Sequence, residues 1–215
     1  MHVFFRKLVI EMREDMRRIE TQLAIQCAPV ILGIKISNLL IVDSAYKNAV
    51  KCIFHDTELS CHLLYQNKDK VIFLIYYPHP LRSYLSEAPV WRLIQQFGYH
   101  TKNLHQILVE FNRRYVLFMN TKRKFPHELG LLLGYPPDDV IGFIKNKGKN
   151  YLWIGYWKVY SDLDSALRTF ERFDKAKKLL LSWVVHGGSI REVITFRKGK
   201  NRNYYNYRKR VIDKK

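Results

Sequence analysis

A chain of 215 residues that is 47% hydrophobic and 14% aromatic holds enough core-forming side chains for one packed domain, which excludes a disordered protein despite its charge. Charged residues interrupt every apolar stretch before the roughly 18–20 residues of a membrane span, and Arg6, Lys7, Glu11 and Arg13 break up what an export signal would need as an apolar segment. The net charge of +18 points to an anionic partner.

From Phe4 to Gln26 the apolar residues Phe5, Leu8, Met12, Met16, Ile19 and Leu23 recur at three- and four-residue steps, which predicts an amphipathic helix broken by Pro29 and Gly33. The run Leu39–Val42 reads as a buried strand and residues 44–54 as helical. CHLLYQ and VIFLIYY flank the polar Asn67-Lys68-Asp69-Lys70 and predict a β-hairpin. Helical periodicity then returns at 81–85, 88–97 and 104–118. FPHELGLLLGY forms a short helix closed by Gly134, and Pro136 and Pro137 open DDVIGFIKN with acids in its first turn. YLWIGYWKVY (151–160) reads as one strand, and Ser161 as the N-cap of a helix with the core stripe Leu163, Leu167, Phe170, Phe173 and Leu180. A short helix follows from Ser189 to about Phe196. The fold class is thus α/β (α+β): one domain over 1–196, a small sheet with a hairpin packed by amphipathic helices, and a basic C-terminal arm over 197–215.

The positive charge is segregated. Residues 91–125 carry seven Lys/Arg against one Glu and residues 191–215 carry ten against two acids, so the two regions supply 14 of the 18 net charges. The first holds Arg113, Arg114, Lys122, Arg123 and Lys124, near a helix C-terminus whose dipole cations also complement. In the second, Arg197, Lys198, Lys200, Arg202, Arg208, Lys209 and Arg210 bracket Tyr204, Tyr205 and Tyr207. Such cations neutralise phosphates and the tyrosines offer faces for unpaired bases, though a solvated tail would have the same composition.

The run FPHELGLLLGYPPDDVIGFIKNKGKNYLWIGYWKVY, with CAPVILGIK at 27–35, resembles the signature of an uncharacterised bacterial family, the domain of unknown function DUF3793. The resemblance covers residues 27–178 and implies a shared fold, with no activity to transfer.

Two smaller groupings carry chemistry. Cys27, His127 and Glu128 are the residue types of a thiol nucleophile, its base and an orienting acid, while a free Cys is just as well a small core residue. In the 151–160 strand, alternation would place Tyr156, Lys158 and Tyr160 on one face, where a Lys between tyrosines could hold a ligand. The three cysteines lack CxxC spacing, the histidines are scattered, and no GxGxxG or GxxxxGK[ST] loop occurs, so no metal and no cofactor are expected. The leading expectation is a cytoplasmic, non-enzymatic protein that binds RNA or DNA without strong sequence preference through 113–124 and 197–210. The alternatives are a cysteine-dependent enzyme and an adaptor for an acidic protein or nucleoprotein complex; no membrane partner is expected.

Overall fold

The computed structural model describes residues 2–196, with side chains from Arg13 to Thr195. The expected basic arm, 197–215, lies outside the described residues, and with it Arg197, Lys198, Lys200, Arg202, Tyr204, Tyr205, Arg208, Lys209 and Arg210.

The centre of the molecule is a three-stranded antiparallel sheet in the order β1-β3-β2, formed by β1 (Ser37–Asp43), β2 (Ser60–Gln66) and β3 (Lys70–Tyr76). The middle strand explains the layering. Its sequence KVIFLIY is apolar at successive positions because both of its faces are covered. Val71, Phe73 and Ile75 point into one core and Ile72 and Leu74 into the other. The expected hairpin joins β2 to β3, and its turn is closed by the Asn67 carboxamide, whose Oδ1 accepts the N–H groups of Asp69 and Lys70 at 3.0 and 2.8 Å.

On the first face lie α1 (His2–Ile31), α2 (Lys47–Phe54), α8 (Leu163–Val185) and α9 (Ile190–Phe196). The predicted stripe of α1 is exposed at Met16, buried at Ile19 and Leu23, and extends to Ala24, Cys27, Ala28 and Ile31, against Ala176, Leu180 and Val184 of α8. The helix runs past Pro29 to Ile31 instead of ending before it. A proline this near the C-terminus forfeits a single ladder bond, and the turn is completed when Gly33, at φ 69°, lets the N–H groups of Ile34 and Lys35 reach the Pro29 carbonyl. The Glu20 carboxylate of α1 accepts the N–H of Ile190 at 2.9 Å and so caps α9, tying the two ends of the described chain together.

The second face carries α3 (Pro78–Ser86), α4 (Ala88–Gln96), α5 (Leu104–Thr121), α6 (Leu129–Leu132) and α7 (Pro137–Lys145). Phe111 on the predicted face of α5 is fully buried with Ile107, Leu108 and Tyr115. Gly134 ends α6 at φ 71° and Pro137 opens α7, as the sequence predicts. The hydroxyl of Ser37 at the start of β1 donates to the Leu132 carbonyl, locking this layer to the sheet.

The segment 151–160 departs from its expected single strand. It folds back as a hairpin of β4 (Trp153–Ile154) and β5 (Lys158–Val159), with Trp153 opposite Val159. Gly155 lies at the reversal, against the Phe170 ring where any Cβ would clash, so the chain turns over α8 only because that residue has no side chain. Ser161 is likewise not the N-cap of α8: Asp162 accepts the N–H of Ser165 at 3.0 Å, and the Ser161 hydroxyl is used elsewhere.

Candidate ligand-binding cleft

Where α1 turns into β1, the segment Gly33–Ile36 borders a cleft of about 800 Å³ whose other walls are Tyr77–Pro80 at the start of α3, Tyr84, Gly134, Trp157, and Thr169, Arg172 and Phe173 of α8. This volume falls within the range of small-molecule sites. Three segments distant in sequence, CAPVILGIK, LGYP and GYWKVY, each contribute a wall. Trp157 is fixed by stacking on Tyr135 at a centroid distance of 5.1 Å, by an edge contact with Phe170 at 4.6 Å, and by donating its indole N–H to Asp139 Oδ2 at 2.7 Å. Tyr84 donates its hydroxyl to the Tyr135 carbonyl at 2.7 Å, and burial raises its pKa.

The chemistry of the cleft centres on Lys35. Its ammonium lies over the rings of Tyr135 and Phe173, at 5.2 and 5.8 Å, and donates to Asn38 Oδ1 at 2.7 Å. Asn38 is itself held by donating to the Gln26 carbonyl at the end of α1. Among the described residues no carboxylate lies within ion-pair distance of Lys35. Burial pushes its pKa down to about 8 from an ordinary 10.5. Arg172 and His79 add exposed basic groups to the lining, opposed by Glu58. Sequence reasoning missed Lys35; the available signal was a lone Lys between Ile34 and Ile36 inside the segment that carries the family resemblance.

Asp139, expected only to favour the helix N-terminus, has a second role. Its carboxylate is buried and accepts four hydrogen bonds: Oδ1 from the N–H groups of Tyr160 and Ser161 and the Ser161 hydroxyl at 2.8–2.9 Å, and Oδ2 from Trp157. It staples the hairpin to α7 and holds Trp157 in the cleft wall.

The cysteine grouping does not assemble into a nucleophile. Cys27 is fully buried in the core on the α1 side of the sheet, where its thiol donates to the Leu39 carbonyl at 3.6 Å and burial raises its pKa far above the ordinary 9.0. A nucleophilic thiol needs access and a lowered pKa, and Cys27 has the opposite of both. His127 packs between the rings of Phe125 and Phe143, at 5.4 and 5.7 Å. Glu128 is buried and accepts from the Tyr99 hydroxyl and from Arg114, both at 3.1 Å. No hydrogen bond among the described residues joins Cys27 to either. Brief alkylation of folded protein is expected to label the exposed Cys52 first, the half-buried Cys61, with its pKa pushed up to about 12, more slowly, and Cys27 only on unfolding. Mass spectrometry of the alkylated peptides reads that order, and rapid labelling of Cys27 would restore the thiol reading.

The first basic region divides in two. Arg113 and Arg114 are not free cations: Glu110 accepts from both, at 2.6–2.9 Å, which holds its carboxyl down at about 2. Arg114 further donates to the Phe97 carbonyl at 2.6 Å and lies over the Tyr99 ring at 4.4 Å. Lys122, Arg123 and Lys124 are exposed in the loop after α5 and have no carboxylate partner among the described residues. Of the expected face of Tyr156, Lys158 and Tyr160, Tyr156 lies apart from the other two. The Tyr156 hydroxyl donates to Asp174 on α8 at 2.8 Å, Lys158 donates to the Gly148 carbonyl at 2.7 Å, and Tyr160 packs on Gly142. Tyr156 falls in the turn between β4 and β5 and reaches α8, whereas Lys158 and Tyr160, two residues apart, both pack on the side of α7 and the turn that follows it.

Comparison with curated proteins and with solved structures returns no match. The model of the family described as Protein of unknown function (DUF3793) matches residues 23–194, a span that takes in the sheet, the cleft and the hairpin, and the chain belongs to that family.

Proposed function

We propose that this protein binds a small organic anion in the cleft over Lys35. The observation that carries the reading is a largely desolvated ammonium, without a carboxylate partner among the described residues, on the wall of a cleft large enough for a metabolite. A partly desolvated cation is costly unless paired, and a carboxylate or phosphate supplied by a ligand would offset that cost. Ile34, Tyr77, Trp157 and Phe173 offer apolar surface beside it, which suits an anion with an apolar or aromatic body. Titration with anilinonaphthalene sulfonate, an aromatic anion, tests this. Saturable one-to-one binding by the parent and at least tenfold weaker binding by Lys35→Met support the reading; equal affinity overturns it.

A second reading, binding of RNA or DNA, rests on the exposed Lys122-Arg123-Lys124 loop, which has no carboxylate partner among the described residues, together with the basic composition of the C-terminal arm. Each phosphate contact adds to the salt dependence of binding. Replacing the three loop residues by Ala is expected to flatten the slope of log affinity against log salt by roughly 2–3 on single strands, and removing residues 197–215 by more. Fluorescence anisotropy with a labelled oligonucleotide measures both slopes, and binding indifferent to salt would exclude this reading. Arg113→Ala is expected to change the slope little, because Glu110 already engages that guanidinium.

A further inference from the structure

Between Asp139 and Asp162 the chain carries Lys145, Lys147, Lys149 and Lys158 and no acid. Within this stretch Tyr151, Leu152, Trp153 and Ile154 are all exposed, at 41, 54, 52 and 56%. Four consecutive large apolar side chains in solvent are costly, and a patch of this kind marks an interaction surface. The segment is held in place. Lys147, Gly148 and Asn150 turn with positive φ, Leu152 donates its N–H to the Val159 carbonyl at 2.8 Å, and Lys158 bonds back to Gly148 beneath the turn.

We propose that this hairpin docks on the surface of an anionic lipid bilayer, with Leu152, Trp153 and Ile154 entering the headgroup–acyl boundary while Lys145, Lys147 and Lys149 contact the headgroups. Among the described residues no helix is long and apolar enough to cross a membrane, and the contact inferred is peripheral. Trp and Tyr favour that boundary, aliphatic side chains gain by leaving water for it, and each lysine near an anionic leaflet adds attraction. The composition separates lipid from other occupants. Tyr151 and Trp153 could stack on bases, but Leu152 and Ile154, the two most exposed of the four, offer no aromatic face and gain only from an apolar phase. In a two-fold dimer built on this patch the lysine rims of both copies would be brought together, and like charges oppose that.

Flotation of the full chain with vesicles of phosphatidylcholine containing phosphatidylserine tests the proposal, using two variants. Leu152→Ser/Ile154→Ser leaves the charge unchanged, so a loss of vesicle binding of tenfold or more, at an unaltered Tm, isolates insertion from the attraction of basic segments elsewhere. Lys145→Gln/Lys147→Gln/Lys149→Gln is expected to reduce the preference for phosphatidylserine by threefold or more. Equal flotation of the serine variant and the parent overturns the proposal, as does absence of flotation by the parent. So does a serine variant whose lost property is self-association or oligonucleotide binding with flotation intact. The result is independent of Lys35, and failure of either reading leaves the other standing.

Discussion

Asp139→Ala is expected to destabilise the fold by about 3–5 kcal/mol, the range for removing one member of a buried, fully bonded polar cluster. The carboxylate is 3% exposed and is the acceptor for four donors. Its loss strands the indole N–H of Trp157, two backbone N–H groups and a hydroxyl where water replaces the carboxylate poorly. Asp139→Asn tests the electrostatic part: an amide keeps the volume but turns one acceptor into a donor aimed at other donors, so it is expected to recover less than half of the loss. Urea denaturation followed by tryptophan fluorescence measures both. The same variants should weaken ligand binding in the cleft, since Trp157 forms part of its wall. A loss below about 1 kcal/mol would mean that solvent reaches these donors freely.

Lys35→Met is expected to move two properties in opposite directions. Affinity for the aromatic anion falls tenfold or more because the charge is gone. Stability at pH 7 rises, by on the order of 2 kcal/mol, because a desolvated ammonium is replaced by an apolar side chain of similar length. A lysine that served only the fold would lose stability when replaced, so the pair of signs distinguishes a binding role from a packing role. The pH dependence follows from the same shift. The unfolded chain holds the Lys35 proton up to about 10.5, whereas the folded chain releases it near 8. Between those values the unfolded state binds more protons, and this group makes stability rise with pH. Cys27 and Cys61 act in the other direction, because burial raises their pKa values above the ordinary 9.0 and the folded state keeps their protons longer. The difference between parent and Lys35→Met therefore isolates Lys35: the stabilisation from the substitution should shrink from pH 8 upwards. Anion affinity of the parent should decline over the same interval, as the ammonium is lost.

Much of the secondary structure was legible because its signals are local. The hairpin of β2 and β3 was marked by two apolar runs around Asn67–Lys70, and the ends of α6 and α7 by Gly134, Pro136 and Pro137. The amphipathic faces of α5 and α8 bury the residues that their spacing selects, Phe111 and Phe173 among them. The ion pairing of Arg113 and Arg114 was legible too, since Glu110 stands three and four residues before them on one helix face.

Other features have no local signal. YLWIGYWKVY has the composition of a strand, and what folds it back is the Phe170 ring over Gly155 together with Asp139, a carboxylate contributed by the preceding helix. Cys27 and Lys35 illustrate the same point from the side of electrostatics. Both are ionisable side chains in apolar segments, and only their surroundings decide their state. Cys27 is sealed between α1 and the sheet, while Lys35, eight residues on, lines an open cleft.

The sequence by itself determined the order of most elements and the buried sides of α5 and α8, because the helical periodicity is a property of neighbouring residues. Only the tertiary structure decided where Lys35 stands, which cations are already paired and which apolar side chains remain in water. Those outcomes depend on desolvation and on partners far away in sequence, and neither is set until the layers have packed.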